Sequence, residues 1–119
     1  ETIIDENKLV EIKDKKVIVI GQAGCTYCIG AKEILNNISK AYKLDVHYLD
    51  VKDLQNNEYK ELFEELPKKG YDNTKLTEHQ TFDMPTLLVF KEDKVKSYLA
   101  GVKELEEYIK YLKEQEVIE

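Results

Sequence analysis

The chain has no arginine and no tryptophan, and only one methionine, two prolines, two histidines and two cysteines in 119 residues. Its 18 basic residues are all lysine, which reads as the mark of an AT-rich bacterial genome and not of a function. Acid outweighs base to a formal net charge of −6, which argues against a nucleic-acid surface. No lysine cluster is dense enough to draw the chain to a membrane. No apolar run approaches the ~18 residues that span a bilayer, and no signal peptide is recognisable. Residue 1 is Glu, so the chain is read as a processed or trimmed form. A removed upstream signal or anchor leaves the compartment open between the bacterial cytoplasm and the outside. Two cysteines are too few for a disulfide scaffold, and a chain of this length buries a core without one. A single domain over 1–119 is expected, with its core from about 16 to 112.

What is present is a change of hydrophobic period along the chain. Lys16 to Ile20 ends in VIVI, closed by Gly21, and reads as a buried central strand. From Cys28 the apolar positions Ala31, Ile34, Leu35, Ile38, Ala41 and Tyr42 recur at three and four, the mark of an amphipathic helix. Asp45 to Val51 (DVHYLDV) reads as a second strand. Tyr59, Leu62, Phe63 and Leu66 give a helical stripe stopped by Pro67. Residues 68–83 are polar and read as a loop. TLLVF (Thr86 to Phe90), the turn KEDK and VKSYLA read as a hairpin. Leu105, Tyr108, Ile109 and Leu112 mark a last helix. In the first fifteen residues, either Asp5 caps a short helix or KLVEI pairs with KVIVI as a strand. The order β-α-β-α-β-β-α, with a parallel crossover and an antiparallel edge, predicts an α/β fold: one mixed sheet with helices on both faces.

The two cysteines lie in GQAGCTYC, with Thr26 and Tyr27 between them. Three readings compete. A zinc site needs about four ligands, and His47 and His79 do not form a ligand pair. A staple across so short a loop adds little, because the entropic gain grows with loop size. The redox reading fits the location, since the pair follows a buried strand and opens a helix. Unpaired N–H groups and partial positive charge at a helix N-terminus favour a thiolate. Cys25 then sits at the exposed cap and Cys28 one turn in, beneath it. One sulfur attacks an outside disulfide and the other resolves the mixed disulfide. Two buried structural thiols are the remaining alternative. Met84-Pro85, just before TLLVF, adds a signal: a cis bond there would aim the Met84 backbone beside the strand end.

Taken together, KVIVI, CTYC, VHYLDV, MPTLLVF, KEDKVKSYLAG and VKELEEYIKYL resemble the thioredoxin superfamily over residues 16 to 112. Small bacterial thioredoxin-like proteins, including the bacteriocin-transport accessory type, are the nearer likeness. The resemblance implies a thioredoxin-like fold and a thiol–disulfide oxidoreductase, reductase or oxidase, that needs no cofactor and acts as a monomer. Its partners would be protein disulfides or dithiols and a second redox protein. By the same resemblance Cys25 is the nucleophile, Cys28 the resolving thiol and Pro85 the cis-proline. Met84 offers its backbone to an extended substrate, and Thr26 and Tyr27 border the substrate site. Tyr27 either tunes the thiolate, touches substrate or is a spacer.

The chain departs from the pattern at several positions. Gly24 replaces the Trp before the first cysteine, and Thr26-Tyr27 replaces Gly-Pro. Val19 stands where the buried acid would be; Tyr48 is its polar substitute or simply a core tyrosine. The segment from Asp53 to Phe82 is longer than in thioredoxin. These departures also suit a second class of function, a thioredoxin-fold module that docks a partner without turnover. Glutathione-linked chemistry lacks a cation near the pair, and Asp83 precedes Met84. Gly21 and Gly24 are read as permitting close strand-to-helix approach, and Gly30 as permitting close packing near the sulfurs. In the reduced protein Cys25 should alkylate rapidly even below neutral pH while Cys28 stays largely silent. Mass-spectrometric mapping of the labelled thiol tests this, and faster labelling of Cys28 would reverse the two roles.

Overall fold

A computed structural model describes residues 3–6, 16–53, 84–92 and 94–119. Five strands form one mixed sheet: β1 (Ile4–Glu6), β2 (Val17–Gly21), β3 (His47–Asp50), β4 (Thr86–Lys91) and β5 (Lys94–Ala100), in the order β1-β3-β2-β4-β5. β1 and β2 both pair parallel to β3, while β4 runs antiparallel to β2 and to β5. Helix α1 (Thr26–Tyr42) makes the crossover from β2 to β3, and α2 (Leu105–Glu114) follows the hairpin. No helix among the described residues is long and apolar enough to cross a membrane.

The VIVI run is buried on both faces because β2 is the middle strand. Val17 and Val19 face one side, with Tyr48, Leu87 and Val89 of the neighbouring strands. Ala31, Leu35 and Ile38 of α1 and Tyr108 and Leu112 of α2 close over them. Both described helices thus lie on one face. Ile18, Ile20, Leu49 and Leu88 on the other are equally shut from water. The helix expected around Tyr59 to Leu66, the loop 68–83 and the KLVEI segment lie outside the described residues.

Three expectations are corrected. Asp5 is not a helix cap but the middle of β1, a strand that pairs parallel with β3. There Glu6 and His47 meet at 2.8 Å, both buried, on the face away from α1. Ala41 and Tyr42, read into the apolar stripe of α1, are exposed at its last turn, beyond the sheet that the stripe packs on. The glycines also act differently from their sequence reading. At Gly21 the close neighbour is Tyr48 from β3, not the helix: an added Cβ would overlap its hydroxyl and sit 2.7 Å from its Cζ. Gly24 has open space around it but a φ of 85°, which a side chain disfavours. Gly30 faces open space in mid-helix, so nothing packs closely against it.

These environments make opposite predictions. Gly21→Ala should lower stability by about 1–3 kcal/mol, because the buried Tyr48 ring has to shift. Gly30→Ala should raise it by about 0.5–1 kcal/mol through helix propensity alone. Urea unfolding of the two variants checks both signs.

Candidate redox site

The site is built at the end of β2. After Gly21 the chain turns through Gln22–Cys25, closed by Cys25 N–H donating to the Gln22 carbonyl at 3.2 Å. Gly24 takes the third position of this turn, where a type II geometry requires positive φ. The turn is pinned from β3: Asp50 Oδ1 accepts from the N–H of Ala23 at 3.2 Å and of Lys52 at 2.9 Å. Cys25 is the N-cap of α1 in extended conformation, and its sulfur accepts from the Cys28 N–H at 3.2 Å. The first turn of α1 carries no acidic residue, so none of its own side chains offsets the positive end of its dipole.

Cys25 and Cys28 are disulfide-bonded, with their Cα atoms 5.2 Å apart. Cys25 is half-buried; Cys28 has no exposed surface. Between them Thr26 is exposed and Tyr27 is 67% exposed, so Tyr27 packs against little of its own chain. The Met84–Pro85 peptide bond is cis. The register pairs Ile20 with Thr86, so the end of β2 and the start of β4 adjoin. Met84 and Pro85 therefore lie at the same end of the sheet as the cysteine turn. Pro85 is buried and Met84 half-buried. The Pro85 carbonyl accepts from the Gly101 N–H at 2.7 Å, and the Gly101 carbonyl accepts from the Tyr108 hydroxyl at 3.2 Å.

Sequence reading missed two of these supports. Asp50 was read only as a strand residue, and Tyr108 only as part of an apolar stripe. An Asp at a strand end, ahead of a turn, is the one signal that pointed to the first. Val19 is buried without a polar partner for Cys28. Tyr48 is buried beside it on β3, under the Lys32 ammonium, which stands 4.7 Å from the ring centroid. Of the histidines, His47 Nδ1 is engaged by Glu6; His79 lies outside the described residues.

No protein-family model matches the chain, and no curated protein sequence matches it either. Solved structures do. Plasmodium falciparum thioredoxin aligns with a TM-score of 0.65 at 17% identity, over 95% of this chain and 97% of its own. The thioredoxin NaTrxh of Nicotiana alata aligns at 0.64 and 20% identity, over 100% and 95%. Mitochondrial thioredoxin 3 of Saccharomyces cerevisiae, in its oxidised form, aligns at 0.59 and 19% identity, over 94% of each chain. The chain has the thioredoxin fold, with a Cys-x-x-Cys disulfide at the head of its first described helix.

Three tyrosines of this fold carry a pH dependence. Burial holds the Tyr48, Tyr108 and Tyr111 phenols above their ordinary 10.0; Asp50 adds to the rise at Tyr48. An acid whose folded pKa is raised binds its proton more tightly when folded. Stability should therefore hold up to about pH 9 and fall as pH climbs from about 10 through the raised values. Tyr108→Phe should make that alkaline loss shallower, as read from urea midpoints between pH 8 and 11.

Proposed function

We propose that the protein is a thiol–disulfide oxidoreductase acting on polypeptide substrates. The observation that carries this is the half-exposed Cys25 at the N-cap of α1, bonded to a fully buried Cys28. In the reduced form the Cys28 N–H and the helix dipole stabilise a Cys25 thiolate. That thiolate attacks one sulfur of a substrate disulfide, and the other substrate sulfur leaves as a thiol. Cys28, losing its proton, then attacks Cys25 Sγ. The Cys25–Cys28 bond forms and the second substrate thiol leaves. Two electrons have passed to the substrate, and the reverse sequence oxidises a dithiol. Direction follows the potential of the couple against its redox partner.

Met84 and Pro85 form the other wall of this site. The Met84 backbone pairs with an extended substrate segment, as in strand addition, and the cis-proline keeps that edge open. Thr26 and Tyr27 border the attacked sulfur, Tyr27 offering its exposed ring to the substrate.

Cys25→Ser should abolish insulin reduction and oxidation of reduced test peptides. Cys28→Ser should accumulate mixed disulfides detectable on non-reducing gels. Unchanged turnover in Cys25→Ser would overturn the proposal and favour a docking role without turnover.

A further inference from the structure

A cleft of about 260 Å³ opens on the β3 side of the cysteine turn, opposite the side where β4 brings Met84 and Pro85. Its walls include Ala23 of the turn, Ile29, Lys32 and Glu33 of α1, and Tyr48 and Asp50 of β3. Tyr48 is only 7% exposed, yet its hydroxyl reaches out over Gly21 toward the turn. No buried side-chain oxygen among the described residues lacks a partner, and the Tyr48 hydroxyl makes no hydrogen bond there. It therefore opens onto the cleft.

The charges in the cleft do not balance. The Lys32 ammonium is matched by Asp5 at 3.0 Å, outside the lining. Neither Glu33 nor Asp50 is in an ion pair among the described residues. Asp50 holds two backbone N–H groups through one oxygen, and its carboxylate charge lines the cleft. Burial and that charge together keep the Tyr48 phenol protonated and neutral. Ile29, 58% exposed, adds an apolar wall. An apolar wall ending in two carboxylates and a phenol oxygen matches an aliphatic stem with a cationic head.

We propose that this cleft is a subsite for a basic side chain, lysine or arginine, close to the reactive cysteine of a polypeptide substrate. Ala23 is two residues from Cys25, and an extended chain advances ~3.3 Å per residue. A residue two or three positions from the substrate cysteine thus spans from Cys25 to the cleft. The inference rests on the exchange reaction proposed above and assigns it a substrate preference. The substrate then lies across both sides of the turn, its backbone on Met84 and one basic side chain on Asp50 and Glu33.

Stopped-flow exchange with peptide–thionitrobenzoate disulfides tests it. The peptides differ only in carrying Lys, Gln or Glu two or three positions from the cysteine. Free dithionitrobenzoate reports the exchange chemistry itself. The reduced protein should react with the best Lys peptide roughly threefold to tenfold faster than with its Gln counterpart, and slowest with Glu. The spread should close as salt rises from 20 mM to about 500 mM. Asp50→Asn, which keeps an acceptor for Ala23, combined with Glu33→Gln should bring the Lys and Gln rates together. Tyr48→Phe should narrow the difference in part. Equal rates for the three peptides, with exchange on the free reagent intact, would overturn the subsite. So would a Lys preference that survives the double variant. Loss of exchange with every disulfide would instead overturn the proposed function, and this inference with it.

Discussion

The antiparallel pairing of β2 with β4 is the constraint on which the redox end depends. β2 has a parallel partner on one side and an antiparallel partner on the other. Its C-terminal end therefore meets the N-terminal end of β4. Gly21 leads into the cysteine turn, and Pro85 leads into Thr86. The Ile20–Thr86 register brings two stretches more than fifty residues apart to one end of the sheet. A slip of one residue would turn Val17 and Val19 away from α1 and would also displace Met84-Pro85 from the turn. Fold stability and site geometry thus rest on the same ladder.

On that ladder the cysteine turn is held by few but directed contacts. Asp50 fixes Ala23 from one neighbouring strand. Gly101 and Tyr108 fix Pro85 from the hairpin end and α2. Helix α1 is seated by Ala31, Leu35 and Ile38 on the sheet, which drives Cys28 out of water while Cys25, at the cap, stays within reach. Burying a leucine of this kind contributes about 2 kcal/mol, against about 1 for each hydrogen bond. Apolar packing therefore sets where the helix sits, and the hydrogen bonds set where the turn points.

Much of this was legible in the residue order. A β-branched run, a Gly-bounded turn and a stripe at helical spacing fixed β2, the cysteine turn and α1 to within a residue or two. The cap position of Cys25 followed from where the stripe begins. Other features were not legible for stated physical reasons. Tyr48 over Gly21 is a contact between strands adjacent in space but far apart in sequence. Asp5 has the right chemistry for a helix cap, and only the free edge of β3 made it a strand residue. Gly21 and Gly24 look alike in sequence, yet one answers a side chain from another strand and the other a backbone angle.

The sequence by itself determined the period of each element, the strand-to-helix placement of the two cysteines and the proline before β4, because these are local properties of backbone and hydrophobic pattern. Tertiary structure alone decided which strands adjoin, which carboxylate grips the cysteine turn, and that a tyrosine hydroxyl and two carboxylates share a cleft beside it. Those depend on sheet order, and sheet order is set by burying both faces of β2 at once, a choice that no single segment makes.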